Sequence, residues 1–446
     1  MAKTKALAYR CESCEAELSQ WYGRCPKCDE WNSVIERISS ASKQKLKARA
    51  LSEISEGQTL VRRSTHLDFL DDILGGGLPE ATTVLLAGEP GIGKSTLLFQ
   101  MFSKSKERVL YVSAEESAAQ VAGRFRSFSK QQDSDFFVLT DHRLSQILEE
   151  IERLQPKMVA IDSIQMISTE SLDRARGGAA NLREISDQLV TTAKAKGFTL
   201  WIVGHVTKDG DIAGPKTLEH LVDSVLLFSS CDEPGVRFLQ TQKHRFGKSG
   251  ELAVLEISEA GLNEKKGGES FWIQENNQNL SGCAQTAVLF GSRVYCVEIQ
   301  ALCTPTHFPS PRRSTTGFDL NRLFLILAVL EKKLKVNLSQ MDVYLNVVGG
   351  LKIQDPAADL AVAAALLSSL EDKPISSKSI FCAEIGLTGE LRKVPQSHER
   401  AKLCEKLGKT EFVTAKFGAS KGPNLRSIQM REKLNLYDAM QNFLSS

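Results

Sequence analysis

The sequence predicts an α/β fold built as several consecutive domains. Three observations predict it. The chain has 446 residues, long against a domain size of roughly 100–200 residues. From about residue 57 onward, short β-rich runs alternate with helix-period patterns, the order that builds a parallel sheet. Four of the ten cysteines crowd into residues 11–28, a stretch too short for a core of its own.

Composition narrows the class further. Hydrophobic residues make up 42% and charged residues 25% of the chain, ordinary globular usage that excludes wholesale disorder. Lys+Arg total 56 against Asp+Glu 54, so any nucleic-acid site is local rather than a property of the whole surface. The apolar runs Leu323–Leu330 and Leu360–Leu367 are eight residues each, against about 20 for a membrane span. The basic start Met1–Arg10 has no apolar stretch behind it, which argues against a secretory signal. The expected location is cytoplasmic, with no membrane partner.

The first element is Cys11-x2-Cys14-x10-Cys25-x2-Cys28. Each C-x-x-C turns a knuckle that aims two sulfurs at one point, and two knuckles supply the four thiolates that suit Zn²⁺. Gly23 and Pro26 sit where the turns fall, and Trp21, Tyr22 and Trp31 are expected to pack over the metal. The alternative is free or redox-paired cysteines. A site with four protein ligands leaves no open position, so its role is structural. Residues 1–38 form this ribbon. Residues 39–56, rich in Lys, Ser and Ala, read as a linker.

The third element carries the chemistry. Val84–Ala87 is a short β-rich run. It leads into Gly88-Glu89-Pro90-Gly91-Ile92-Gly93-Lys94-Ser95-Thr96, followed by the helical pattern Leu97, Leu98, Met101. A G-x-x-x-x-G-K-S segment between a strand and a helix is the P-loop context. Its glycines let the backbone wrap phosphate oxygens, and the amides and helix N-terminus attract the anion. Lys94 reaches the β- and γ-phosphates of ATP, and Ser95 ligates Mg²⁺. Arg108–Ser113 reads as the next strand and ends in Ala114-Glu115-Glu116. Glu115 sits on the edge where doubly wound sheets bind ligands and can polarise the attacking water. It can equally belong to a helix start, with Ser113 capping and Glu116 three residues on. Met158–Asp162 is a strand ending in a carboxylate, the Walker B arrangement, with Asp162 holding Mg²⁺ through water. Thr199–Val203 brings His205 to the same edge, either as a γ-phosphate sensor or as a structural histidine.

Together these residues resemble the RecA-like ATPase core. Thr65-His66-Leu67-Asp68 and Leu74-Gly75-Gly76-Gly77-Leu78 precede the P-loop, as in RecA and replicative-helicase families. Lys243-His244-Arg245-Phe246-Gly247 resembles the K-N-R-F-G signature of the bacterial RadA (Sms) family, with His244 in place of Asn. The resemblance implies hexameric or filament-like assemblies in which a neighbour supplies cations to the γ-phosphate. Lys243 and Arg245, two apart on an expected strand with no nearby carboxylate, suit that role in trans. It also implies a DNA path lined by the loops Ser168–Gly178, with Arg174 and Arg176, and Asp209–Lys216, flanked by Lys208 and closing on Lys216.

The final segment, after Lys265-Lys266-Gly267-Gly268, resembles the Lon protease C-terminal domain. The likeness rests on Val347–Leu351, Asp355-Pro356-Ala357-Ala358-Asp359-Leu360 and Glu384–Leu391. Ala357 takes the place of the Ser nucleophile, and His398 falls where the Lys base is counted. A methyl group cannot attack a carbonyl, so the peptidase chemistry is expected to be absent. The segment's expected role is ring assembly, with Arg312, Arg313, Lys332, Lys333 and Lys335 as a second DNA surface or as plain solvated charge.

The expected architecture is α/β. A RecA-like P-loop ATPase core (57–264) follows a C4 zinc ribbon, and a Lon-protease-like domain (270–446) follows the core. The resemblance implies a DNA-stimulated ATPase that promotes branch migration in RecA-mediated strand exchange and break repair. Its partners would be single-stranded and branched DNA, the RecA recombinase and further copies in a hexameric ring. The rivals are an ATP-fuelled peptidase, against which Ala357 argues, and an ATP-gated adaptor that binds through its ribbon.

Overall fold

The computed structural model describes residues 9–11, 13–14, 16–18, 20–31, 33–36, 61–129, 135–169, 178–205, 217–231, 233–273, 280–416 and 425–444. The chain divides into two compact units, Met1–Thr59 and Leu60–Ser446. In the first, β1 (Tyr9–Cys11) pairs antiparallel with β2 (Glu17–Leu18) and β3 (Val34–Glu36). Cys11, Ala16, Leu18, Cys25 and Val34 form its small core, with Tyr22 at the edge. Trp21 and Trp31 do not pack over the cysteines as expected: they are 59% and 69% exposed. A three-stranded ribbon has room inside for little beyond the knuckles themselves. The Arg24 guanidinium lies over Trp31, 5.8 Å from the ring centroid, and Arg24 Nε donates to Asp29 O.

The second unit opens with β4 (Arg62–Arg63) and β5 (Leu78–Pro79), an antiparallel pair closed around α1 (Asp68–Ile73). Asp71 accepts from Thr65 N and Thr65 Oγ1, both at 2.7 Å, and from Ser64 Oγ at 2.5 Å. At Gly77, φ is +100° and a Cβ would stand 2.2 Å from Arg63 O. The Thr65 and triple-glycine motifs thus close one turn tightly enough to exclude a side chain.

The central elements follow in alternation. They are β6 (Thr83–Gly88), α2 (Lys94–Phe102), β7 (Val109–Ser113), α3 (Ala118–Arg126), β8 (Phe136–Leu139) and α4 (Leu144–Leu154). Next come β9 (Met158–Asp162), α5 (Ala179–Lys196), β10 (Thr199–His205), α6 (Thr217–Leu221) and β11 (Ser224–Ser230). Three further strands, β12 (Val236–His244), β13 (Leu252–Ser258) and β14 (Gly261–Glu264), complete a nine-stranded sheet among the described residues. The order is β14-β13-β12-β11-β6-β10-β9-β7-β8. The strands from β11 to β8 are parallel, and β12 to β14 form an antiparallel edge. Both faces of β6 are covered. Val84 and Leu86 join the core with α2 and α3, whereas Leu85 and Ala87 join the core with α4 and α5. That double burial explains an uninterrupted apolar strand.

One helix start differs from expectation. Ser113 Oγ accepts from Glu116 N at 3.1 Å, but α3 begins at Ala118 under a Ser117–Gln120 capping box. The Ser113 bond therefore tightens the bend that presents Glu115, and the helix is capped four residues later, at Ser117.

A second sheet is built from β15 (Cys283–Phe290), β16 (Arg293–Pro305), β17 (Arg313–Thr316) and β18 (Met341–Val347), with α7 (Leu320–Leu334) before β18. After α8 (Asp359–Leu370), β19 (Ser379–Cys382) joins the sheet, and β20 (Glu384–Ile385) and β21 (Leu391–Arg392) form a separate hairpin. The chain ends through α9 (Ser397–Lys406), β22 (Glu411–Ala415), β23 (Gln429–Lys433) and α10 (Leu436–Leu444). The sheet order is β17-β18-β16-β15-β19-β22-β23. Ala357 is fully buried, and its amide donates to Asp355 Oδ1 at 3.0 Å. The α9 side chain that reaches this turn is Arg400, paired with Asp355 Oδ2 at 2.7 Å, two residues past His398.

The two sheets share one apolar core. Val236, Phe238, Leu252 and Val254 cluster with Trp272 and with residues of α7 and α8. Arg293 adds a polar tie, pairing with Asp72 at 2.7 Å and Glu264 at 3.1 Å. Among the described residues, no helix is long and apolar enough to cross a membrane.

Candidate functional site

The P-loop leaves the C-terminal end of β6, the middle strand of the nine-stranded sheet. Gly91 and Gly93 have φ of +75° and +115°, values that favour glycine. A Cβ on Gly91 would meet nothing within 4 Å, so this stretch of backbone faces open space. Gly88 differs, because a Cβ there would stand 2.7 Å from Phe228 O on β11. Ile92 is buried beneath the loop, and Pro90 and Thr96 line its mouth.

Lys94 is 5% exposed, and its ammonium donates to Gly88 O at 2.7 Å and Glu89 O at 2.8 Å. Burial lowers its pKa, against the charges of Asp162, Glu115 and Glu89. His205, at the end of β10, places Nδ1 3.4 Å from Lys94 Nζ. Burial and then the Lys94 charge hold the imidazole below its ordinary pKa. Ser95 Oγ donates to Asp162 Oδ2 at 2.7 Å. Ser163 Oγ donates to Glu115 Oε1 at 2.8 Å. Lys94, Ser95, Glu115, Asp162 and His205 line one cavity of about 300 Å³.

The donor sets match two different metals. Ser95 hydroxyl and Asp162 carboxylate are hard oxygens beside a phosphate-sized opening, the chemistry of Mg²⁺ held between protein and nucleotide. The four sulfurs of Cys11, Cys14, Cys25 and Cys28 lie within 4.8 Å of one another. Four soft ligands at one point, half of them fully buried, fit Zn²⁺ and a structural role.

Lys243 and Arg245 lie elsewhere. On the sheet, Lys243 pairs with Val225 and Ser224 with Val84, which puts both cations by the start of β6. The P-loop is at the other end of that strand, five residues along and roughly 16 Å away. Sequence reasoning found no carboxylate near this pair, and the fold supplies one. Asp223, its side chain 4% exposed, accepts from Arg245 Nη1 at 3.1 Å and Lys194 Nζ at 3.4 Å. Burial pushes the Asp223 pKa up, but the Thr83 hydroxyl and amide and the Lys194 charge carry it below the usual value. The residues responsible are 20 or more positions away in sequence, which is why spacing could not reveal them. Lys243 Nζ donates to Glu219 O at 2.6 Å and Val222 O at 2.8 Å. Burial, then the Arg245 charge, lower its pKa.

Arg174, Arg176, Lys208 and Lys216 lie outside the described residues. In the second sheet, Arg313 is committed internally, with Nη2 donating to Leu338 O at 2.7 Å. Arg312 stacks 3.7 Å from the Phe308 ring centroid.

Two residues at the cavity escaped sequence reasoning. Arg124 lines it from α3, paired with Glu116 at 2.5 Å and lying over the Phe99 ring. Tyr111 donates to Asp162 Oδ2 at 2.5 Å. Burial and then the Asp162 charge push its pKa up, so the phenol stays a donor. A signal existed for Tyr111: a phenol inside a strand buried on both faces needs a polar partner.

Known families match each part in turn. The description "Rubredoxin metal binding domain" matches residues 9–36, "AAA domain" matches 55–211, and "Subunit ChlI of Mg-chelatase" matches 322–417. Among solved structures, the RadB recombinase aligns over 45% of this chain and 99% of its own, at 22% identity and a TM-score of 0.38. The DNA repair protein RadA of Synechocystis sp. is 40% identical, covering 93% of this chain and 90% of its own. That of Bacillus subtilis is 36% identical over 100% of both chains. Similarity of this extent spans ribbon, core and C-terminal sheet together, and the chain belongs to the RadA family of DNA repair proteins.

Proposed function

We propose that this chain is a magnesium-dependent ATPase, stimulated by DNA, that processes recombination intermediates in the cytoplasm. The observation that carries the ATPase reading is the convergence of Lys94, Ser95, Asp162 and Glu115 on one cavity at the P-loop. The Gly88–Thr96 amides bind the phosphates, and Lys94 exchanges its two carbonyl partners for phosphate oxygens. Ser95 and Asp162 hold magnesium, which when bound neutralises charge building on the phosphates. Glu115 orients the attacking water, and His205 registers the γ-phosphate beside Lys94. Membership of the RadA family supports the next step, work on single-stranded and branched DNA as branch migration alongside the RecA recombinase. A hexameric ring accounts for Lys243 and Arg245, since each subunit would lend them to its neighbour's nucleotide.

The test is ATP hydrolysis with and without single-stranded DNA across a salt series. Stimulation that fades as salt rises is expected, because phosphate contacts release counterions. Lys94→Ala should abolish turnover and keep the fold; normal turnover in that variant would remove the P-loop assignment. A second reading is favoured by the exposure of Trp21 and Trp31. In it the chain is an ATP-gated adaptor that docks through its ribbon, and hydrolysis would be indifferent to DNA.

A further inference from the structure

Tyr111 is outside the phosphate cradle, yet it ends on the cradle's carboxylate. Strand register sets Tyr111 beside Ala160 and Ser113 beside Asp162. Side chains two apart share a face, so Tyr111 and Asp162 are diagonal neighbours on the face that α2 covers. The small Ala160 leaves the phenol room to lie across that diagonal. The ring is 1% exposed and held by Phe99 at 4.8 Å and Phe136 at 6.1 Å between centroids. Its hydroxyl and the Ser95 hydroxyl both donate to Asp162 Oδ2. When Ser95 turns to a metal, Tyr111 is the tie to Asp162 that remains.

We propose that Tyr111 is a positioning residue that holds the Asp162 carboxylate toward Ser95, so that the oxygen ligands stand ready before magnesium arrives. The proposal rests on the magnesium–ATP reading above. Without the phenol hydroxyl, Asp162 loses that tie and can turn toward the Lys94 ammonium once Ser95 turns to the metal. That turn would withdraw the carboxylate from the metal. A rigid aromatic donor prevents it at low entropic cost, because its ring is already fixed by packing.

The experiment is binding of a fluorescent ATP analogue to the full chain, titrated with magnesium. Tyr111→Phe removes one oxygen and keeps the ring. The half-saturating magnesium concentration should rise roughly ten- to a hundredfold, the effect of losing one hydrogen bond to a charged group. Nucleotide affinity in EDTA should stay within about twofold, since the cradle amides are untouched. In an Asp162→Asn background the same substitution should add nothing. Unchanged or tighter magnesium dependence overturns the proposal. So does an equal loss with and without magnesium, which would point to ring packing, and so does failure of the variant to fold. Lys94→Ala separates the two layers. If it still binds and hydrolyses ATP, the nucleotide reading itself fails. If it does not, while Tyr111→Phe matches wild type, the positioning role alone falls.

Discussion

His244 stands where the related signature carries Asn, and its contacts show what the position requires. Nε2 lies 3.1 Å from Leu74 O, and Nδ1 lies 2.7 Å from Ser224 Oγ. A carbonyl can only accept, so Nε2 carries a hydrogen, while the serine hydroxyl can donate to Nδ1 or accept from it. Burial favours the neutral ring, in which Nδ1 is the acceptor, and an asparagine amide offers the same donor and acceptor on a shorter stem. Burial lowers its pKa from 6.5, opposed by the Leu74 carbonyl and reinforced by Arg62. The unfolded chain then binds a proton that the folded chain refuses, so stability falls as pH drops through about 6.5. His244→Asn should flatten this acid loss between about pH 7 and 5. Urea midpoints across that range measure it, and parallel slopes for the two proteins would show that His244 does not titrate in unfolding. The identity of the motif was legible in sequence, but its purpose was not. Arg62 Nη1, bonded to Leu74 O and Gly77 O, and Nη2, reaching Phe246 O, tie two motifs about 170 residues apart into one corner.

At the level of elements, sequence reading succeeded where local chemistry dictates position. A buried strand ending in Gly88 or Asp162 must deliver that residue to one sheet edge, so their placement followed from the G-x-x-x-x-G-K-S motif read together with the apolar runs around it. It failed where partners come from distant elements, as with Asp223 beneath Arg245 or Tyr111 above Asp162. The ribbon shows both outcomes. Its four sulfurs converge as the spacing predicts, while Trp21 and Trp31 stay outside. With so few buried residues, the ribbon's stability must come from the metal. Binding free energy for comparable zinc peptides, about 10–16 kcal/mol, acts as folding free energy. A strong chelator should therefore unfold residues 9–36 and leave residues 60–446 intact. Amide exchange would show protection lost at β1 to β3 alone. Retained protection there after metal removal would assign the fold to its own small core.

On the scale of the whole molecule, Lys243 and Arg245 lie at the opposite end of β6 from the P-loop. Both lie near Thr83 at the start of β6, and Lys94 stands past its other end. The intervening strand is filled by buried side chains on both faces, so neither cation can reach its own subunit's cavity. If they serve hydrolysis, they serve a neighbour's. A ring with head-to-tail contacts repeats this relation around its circumference, one loop facing one pair of cations. Asp223 then has a resting role: it holds the Arg245 guanidinium in place through a carboxylate fixed by Thr83, until a stronger anion is presented. Mixing variants tests the arrangement directly. Lys94→Ala subunits have no working loop but keep Arg245, and Arg245→Ala subunits have the reverse defect. Each should be nearly inactive alone in the assembled state. Mixed in equal amounts with subunit exchange, they should recover about a quarter of wild-type turnover, the chance that an intact loop meets an intact cation. Turnover no greater than the average of the separate variants would mean that Arg245 does not act across the interface, and that Asp223 holds it for the fold alone.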